Sequence, residues 1–181
     1  MEWSQIPGLK LIQTEKHYDE RGFLQVLYDL NDRDKNTPLD EVFFKRLLLV
    51  ESKRGIIRGI HRARKNIDEI KLVTCLSGRV REVIVDLRRE SPKFGDHAEI
   101  FLDSSEGTTL ILPRGVGQAY EACSEVCVLL YALNTSYKSD EELVINTHDP
   151  SLGILWSKAP VRNLRDQEAM SLSKALSLDL L

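Results

Sequence analysis

Short runs of apolar and β-branched residues, separated by turn residues, recur through the middle of the chain. Seven of these runs predict strands, at residues 43–50, 55–61, 71–76, 80–87, 97–102, 108–112 and 126–133. A series of short strands with turn signals between them is typical of a β-sandwich or a β-barrel. The pattern therefore predicts an all-β domain.

Two neighbouring runs predict a hairpin. Ser77-Gly78 separates residues 71–75 from residues 80–86, and both flanks alternate apolar with polar side chains over part of their length. A tight loop containing glycine between such segments favours antiparallel pairing of the two strands. Residues 88–95, in contrast, are polar and include proline and glycine, which predicts a surface connection.

Helical spacing is found only near the end of the chain. Ala169, Leu172 and Leu176 recur at the spacing of one helix face, and Asp166 precedes them. Aspartate is a favoured residue at the N-terminal cap of a helix. We therefore expect a short helix at residues 167–176 that Asp166 caps.

Composition limits the class of protein. The 181 residues are 42% hydrophobic and 29% charged, with a formal charge of −3, which indicates one globular domain spanning residues 1–181. The slight acidity argues against a nucleic-acid partner. No apolar run approaches the ~20 residues of a membrane-spanning helix, and Met1 to Ser4 do not begin a secretory signal. We expect a cytoplasmic protein without a membrane partner.

Histidine is the first candidate for proton transfer, because it titrates near neutral pH. His17, His97 and His148 lie among polar residues near predicted turns and are expected at the surface, whereas His61 ends a predicted strand. Strict alternation along that strand would place His61 on one face, with Ile57 and Gly59, and Arg58 on the other. A single strand histidine is more often structural than catalytic.

A metal centre is not expected. A metal-binding barrel would usually offer several imidazoles and a carboxylate that converge on one ion. His61 has no histidine near it in the sequence, and Arg62 and Arg64 would repel a cation. The cysteines, Cys75, Cys123 and Cys127, are odd in number and lack close metal-type spacing, so free thiols are expected.

Three further residues have ordinary explanations when taken singly. Lys71 could be a solvated charge at a strand end, Tyr137 a loop aromatic, and Asp149-Pro150 a turn. Sequence spacing alone cannot bring them together with His61.

Several motifs occur in an order that resembles a known family. They are Asp19-Glu20-Arg21-Gly22-Phe23, Arg58-Gly59-Ile60-His61, Lys71-Leu72-Val73, Val85-Asp86-Leu87-Arg88, Ser91-Pro92-Lys93-Phe94-Gly95, Leu112-Pro113-Arg114-Gly115, Tyr137, Asp149-Pro150 and Ile154-Leu155-Trp156. Over nearly its full length the chain resembles the dTDP-4-dehydrorhamnose 3,5-epimerases, sugar-nucleotide epimerases of the cupin superfamily. The resemblance implies a jelly-roll (cupin) β-barrel with a short C-terminal helix.

The resemblance also implies a mechanism that needs no metal and no redox cofactor. His61 would remove a proton next to the C4 ketone of a nucleotide-linked sugar, and Asp149 would orient its imidazole. Lys71 would stabilise the enolate, and Tyr137 would return a proton from the opposite face. An acid and a base on opposite faces would invert the carbon.

Substrate-binding roles follow from the same resemblance. Arg21 and Arg58 would bind the diphosphate, because guanidinium groups suit phosphates, although either could instead form a surface or dimer salt bridge. Glu142 matches an acidic position of the family, and a solvated loop charge is an equal explanation. The family also implies a homodimer in which N-terminal strands are exchanged.

Departures from the family pattern cluster where the substrate would be read. Val26 replaces a glutamate, Arg46 and Leu48 replace a glutamine and an asparagine, and Gln118 replaces a histidine. Further changes are Arg62, Ala63, Glu69 and Thr147-His148. Because a lost polar partner can reject a ligand, we expect a nucleotide-diphosphate 4-keto-sugar other than the usual one, inverted at C3, C5 or both. A 3,4-ketoisomerase and a non-catalytic sugar-nucleotide-binding barrel remain as alternatives.

Overall fold

The computed structural model describes residues 6–27, 44–157 and 161–181. The predicted strand at residues 43–50 therefore begins one residue outside the described part. Within these ranges the chain forms twelve β-strands and two short α-helices. The strands are β1 (Lys10–Gln13), β2 (Lys16–Asp19), β3 (Gly22–Gln25), β4 (Arg46–Lys53), β5 (Ile57–Ala63), β6 (Lys71–Ser77), β7 (Arg79–Asp86), β8 (His97–Asp103), β9 (Thr108–Leu112), β10 (Val116–Ala122), β11 (Val126–Leu133) and β12 (Glu142–Val144). The helices are α1 (Leu164–Gln167) and α2 (Leu172–Ser177).

Ten of the strands form two antiparallel sheets that face each other as a jelly-roll barrel. The first sheet has the order β1-β9-β6-β11-β4, and the second has the order β12-β5-β10-β7-β8. β2 and β3 form a separate hairpin. The all-β prediction is confirmed, and all seven predicted strands are present within a few residues of their expected bounds.

The predicted hairpin around Ser77-Gly78 is wrong. β6 pairs with β9 and β11, whereas β7 pairs with β10 and β8, so the turn leads from one sheet to the other. Gly78 has a φ of 75°, and a Cβ there would lie 2.4 Å from the Val126 carbonyl oxygen. The glycine thus permits a close crossing between sheets, a use that local pattern does not distinguish from a hairpin turn.

The core consists of two apolar layers. One fills the space between the sheets and includes Ile84, Leu110, Tyr120 and Leu129. The other covers the outer face of the second sheet. There the C-terminal segment packs against the strands, and the buried residues are Ile60, Val83, Val85, Leu87, Ala119, Leu143, Ile145, Leu152, Leu172, Ala175 and Leu181.

The single helix predicted at residues 167–176 is divided in two. Asn163 caps α1 by accepting a hydrogen bond from Asp166 N, and Ser171 caps α2 by accepting one from Lys174 N. Asp166, expected to be a cap, lies inside α1 and is fully buried. None of the helices in the described part of the chain has the length and apolar character needed to cross a membrane.

Candidate active site

A cavity of about 200 Å³ opens between the two sheets. Side chains from both sheets and from the segment after β11 line it, which places charged and apolar groups around one space. The lining residues include Arg46, Leu48, Val50, Arg58, His61, Glu69, Lys71, Gln118, Tyr120, Tyr131, Tyr137 and Glu142.

His61 and Arg58 both face this cavity, which strict alternation along β5 does not allow. The pairing of β5 with β10 shifts register between Gln118 and Tyr120, and such a bulge changes which face the following side chains point to. Gly59 has a φ of 125°, and a Cβ there would lie 2.5 Å from the Gln118 carbonyl oxygen. The predicted separation of Arg58 from His61 is therefore wrong.

The carboxylate that holds the His61 imidazole is that of Asp166. Nε2 of His61 lies 3.0 Å from Oδ1 of Asp166, and the Gly59 backbone N–H donates to Oδ2 at 3.2 Å. Burial opposes ionisation of Asp166, but the His61 hydrogen bond and charge outweigh it and hold the pKa of Asp166 below its ordinary value. An ionised Asp166 favours the tautomer in which Nε2–H donates to it, and in the neutral form of that tautomer Nδ1 carries the lone pair.

Asp149 does not take the predicted place beside His61. Its Oδ1 accepts hydrogen bonds from the backbone and the hydroxyl of Ser151, and its Oδ2 accepts one from Leu172 N at 2.6 Å. The two bonds with Ser151 cap the 3₁₀ turn at Pro150–Leu152, and the bond from Leu172 N ties that turn to the first turn of α2. The Asp-Pro motif therefore secures the C-terminal segment, and the expected contact with the imidazole is wrong.

Two further ionisable groups lie near the imidazole. Glu142 places Oε1 3.6 Å from Nδ1 of His61 and is itself paired with Arg165 at 2.7 Å. Lys71 lines the same cavity, where its ammonium lies 3.4 Å from Oε1 of Glu69. The predicted His61, Lys71 and Glu142 thus share one space.

Tyr137 and the predicted arginines occupy different depths. Tyr137 lines the cavity but is 57% exposed, and the Arg46 guanidinium lies 5.1 Å from its ring centroid. Arg58 donates from Nε to the Ser52 hydroxyl at 3.1 Å. Arg21 lies on the turn between β2 and β3, with its side chain 84% exposed and paired with Asp19, and does not line this cavity.

Comparison with known proteins gives the family. A sequence model of the dTDP-4-dehydrorhamnose 3,5-epimerase family matches residues 4–174. The chain belongs to this family. The epimerase of that name from Salmonella typhimurium is 30% identical over 178 residues, covering 94% of each chain. A dTDP-4-dehydrorhamnose 3-epimerase from Streptomyces niveus is 32% identical, covering 97% of this chain and 85% of its own.

Solved structures of epimerases agree with the fold. A 4-keto-6-deoxy sugar epimerase from the novobiocin biosynthetic gene cluster of Streptomyces spheroides superimposes with a TM-score of 0.92, at 31% identity, over 99% of this chain and 90% of its own. A 3′-monoepimerase from Streptomyces bikiniensis in complex with dTDP-quinovose gives a TM-score of 0.91 at 27% identity, over 100% and 92%. The fold is therefore that of the cupin-type sugar-nucleotide epimerases.

The sequence pattern does not reveal three residues that lie at or next to this cavity. Asp166 precedes a helical pattern, which predicts a helix cap instead of a contact with His61. Tyr131, only 8% exposed, was hidden in an apolar strand, yet it lines the cavity. Glu82 is fully buried and accepts a hydrogen bond from Gln118 Nε2 at 2.9 Å. The signal available in the sequence was a glutamate at a strand position expected to face inward, because a buried carboxyl group needs a hydrogen-bond partner.

Proposed function

We propose that this chain is an epimerase of a nucleotide-diphosphate-linked 4-keto-sugar that inverts C3, C5 or both through an enolate. The observation that carries the proposal is the hydrogen bond between His61 and the buried Asp166 at the wall of a cavity that Lys71 and three tyrosines also line. Some relatives are named 3,5-epimerases and others 3-epimerases, so the proposal leaves the number of inverted carbons open.

His61 is the proposed base. Because Nε2 is engaged by Asp166, Nδ1 would accept the proton next to the C4 ketone. Asp166 would fix the tautomer and stabilise the imidazolium that forms. Lys71 would place its positive charge near the oxygen of the developing enolate.

Two phenols are candidates for the acid. The family resemblance implies Tyr137, which stands at the cavity mouth beneath Arg46. Tyr131 is the second candidate, because it projects into the cavity from β11 of the first sheet while His61 projects from β5 of the second. Replacing each with phenylalanine separates them, since loss of the acid blocks inversion and leaves proton removal in place.

Substrate binding is proposed for Arg58, Arg46, Gln118 and Glu142 within the cavity. Arg58 would bind the diphosphate, because it has no carboxylate partner among the described residues and is oriented by Ser52. A structure of the Legionella pneumophila relative contains dTDP-4-keto-L-rhamnose, at 26% identity and a TM-score of 0.91. The changed positions Arg46, Leu48 and Gln118 support a different sugar or base here.

A homodimer is proposed from the exposed apolar side chains on the β2–β3 hairpin and on β4. They are Tyr18, Phe23, Leu24, Leu47 and Leu49. Arg21 lies on the same hairpin, so an exchange of N-terminal strands would bring it toward the cavity of the second copy. Light scattering should give twice the monomer mass, and the double variant Leu47→Lys with Leu49→Lys should lower it. A monomeric wild-type chain would contradict the dimer.

The test of the proposed reaction is incubation with a panel of nucleotide-linked 4-keto-sugars in deuterated water. Solvent deuterium at C3 or C5 with inverted configuration is expected for at least one member. His61→Ala should abolish this turnover and leave nucleotide affinity nearly unchanged. A displaced carbonyl would indicate a ketoisomerase instead, and binding without any exchange would indicate a non-catalytic barrel.

A further inference from the structure

A buried polar cluster lies next to the cavity in the barrel interior. It consists of Glu82 on β7, Gln118 on β10 and Tyr131 on β11, and the last two line the cavity. Glu82 is fully buried, and one of its carboxyl oxygens, Oε1, has no hydrogen-bond partner among the described residues. Burying a carboxyl oxygen without a hydrogen-bond partner lowers the free energy of unfolding. A functional role in positioning the neighbouring side chains would account for a glutamate at this position.

The amide of Gln118 joins the other two members. Nε2 donates one hydrogen to Glu82 Oε2 at 2.9 Å and lies 3.5 Å from the Tyr131 hydroxyl oxygen. An amide nitrogen carries two hydrogens, so both contacts can form together. The engagement of Nε2 by Glu82 fixes the rotation of the amide and directs its second hydrogen at the phenol oxygen.

This arrangement leaves the hydroxyl hydrogen of Tyr131 free to point away from Gln118. An oxygen that accepts from Gln118 has its own hydrogen available for a different acceptor, and no such acceptor of Tyr131 is found among the described residues. The side chain lines the cavity, so that acceptor would be a bound substrate. Burial and the nearby Glu82 raise the pKa of Tyr131 well above its ordinary value, which keeps the phenol protonated.

We propose that Glu82 and Gln118 are positioning residues that direct the Tyr131 hydroxyl proton into the cavity, so that protonation of the enolate carbon depends on both. The inference rests on the proposed epimerase function. His61 would take the proton from the sugar carbon, and the C–H electron pair would pass into the enolate. The Tyr131 proton would then bond to that carbon from the opposite face. The phenolate oxygen of Tyr131 would then accept a hydrogen bond from Gln118. The imidazolium of His61 would lose its proton to solvent, and the phenolate of Tyr131 would regain one from solvent.

The test measures where solvent deuterium goes. In a variant whose Tyr131 hydroxyl no longer points at the sugar carbon, His61 should still remove the proton and return a deuteron to the same face. The recovered substrate would then carry deuterium without being inverted. We expect Gln118→Met and Glu82→Met to lower the ratio of labelled product to labelled substrate by about tenfold. Tyr131→Phe should lower the ratio further, and Tyr137→Phe less than Tyr131→Phe.

Two variants distinguish positioning from general damage. Glu82→Gln keeps a carbonyl that can accept from Gln118 and should restore the ratio toward the wild-type value. Thr109→Val removes another buried side-chain hydrogen bond, to Thr74 at 2.7 Å in the first sheet, and should leave the ratio unchanged. Variants that lose substrate labelling and inversion equally would overturn the inference, as would a wild-type ratio in both methionine variants.

The failure of this inference is distinct from failure of the proposed function. If the wild-type chain labels no 4-keto-sugar nucleotide, the epimerase proposal fails and the positioning role fails with it. If the wild-type chain labels and inverts a sugar while Tyr137→Phe alone blocks inversion, the epimerase stands and the role of Glu82 and Gln118 is overturned.

Discussion

The two sheets that enclose the cavity differ in what supports them from behind. The second sheet carries His61, and its outer face is covered by the apolar C-terminal segment. Asp166 reaches His61 from α1 of that segment. The first sheet ends at β4, where Leu47 and Leu49 are 67% and 68% exposed.

The difference separates a wall that buried contacts support, from which the proposed base projects, from a wall whose edge strand is exposed. The imidazole is fixed by a carboxylate that is itself buried and bonded to the backbone, so any change there would disturb several contacts at once. On β4, in contrast, Arg46 and Leu48 face the cavity from an edge strand. We expect substitutions at these two positions to alter the cavity at smaller cost to folding than substitutions at Asp166. Of the departures from the family pattern, Arg46 and Leu48 lie on β4, and Arg62, Ala63 and Gln118 lie on the second sheet.

The largest effect should come from removing the charge that supports His61. Asp166→Asn keeps the size of the side chain but disturbs the tautomer of the imidazole, so kcat should fall about a thousandfold. Steady-state kinetics on the substrate found in the panel would measure it. Asp149→Asn is the matched control and should retain kcat within a few-fold. A larger loss for Asp149→Asn would return the supporting role to Asp149.

The next effect concerns the arginines of the two walls. Arg58→Lys on β5 loses the guanidinium fork and should raise KM for the nucleotide sugar about tenfold with little change in kcat. Arg46→Gln on β4 should alter the preference among sugar nucleotides more than it alters the rate with any one. If both variants changed KM equally for every nucleotide sugar, the two walls would not differ in their contribution to substrate binding.

Asp149 should matter for stability. Asp149→Ala removes two hydrogen bonds within the 3₁₀ turn and one between that turn and α2, and the free energy of unfolding should fall by about 2 kcal/mol. Denaturant unfolding would measure the change, with Ser173→Ala at an exposed position of α2 as the control. An unchanged midpoint would show that the C-terminal segment is held without this carboxylate.

The smallest effect concerns Glu82 and pH. Burial raises the pKa of Glu82 from 4.5 to about 8. Between these values the folded chain binds more protons at this site than the unfolded chain, so stability from this group is lost as pH rises. The difference in Tm between Glu82→Gln and the wild type should therefore shift in favour of the variant by about 5 °C when the pH is raised from 5 to 9. A constant difference in Tm across that range would contradict the raised pKa.

The positions of the strands could be predicted more reliably than the partners with which they pair. The seven central strands were predicted because alternation and turn residues are local signals. β10 was missed because Gly117, Gln118 and Glu121 interrupt its apolar pattern, although every residue of the strand is buried. The role of Asp166 was missed because it lies 105 residues from His61, and nothing local indicates a contact over that separation.

Local periodicity and short motifs were enough to predict the class of fold, the family and three of the residues that line the cavity, His61, Lys71 and Tyr137. Three features could be seen only in the folded chain: the carboxylate that meets the imidazole, the link between two sheets at Ser77-Gly78, and the shared face of Arg58 and His61. Each of these depends on pairing between distant strands or on a shift of register, and a single residue of shift reverses the face of every side chain beyond it.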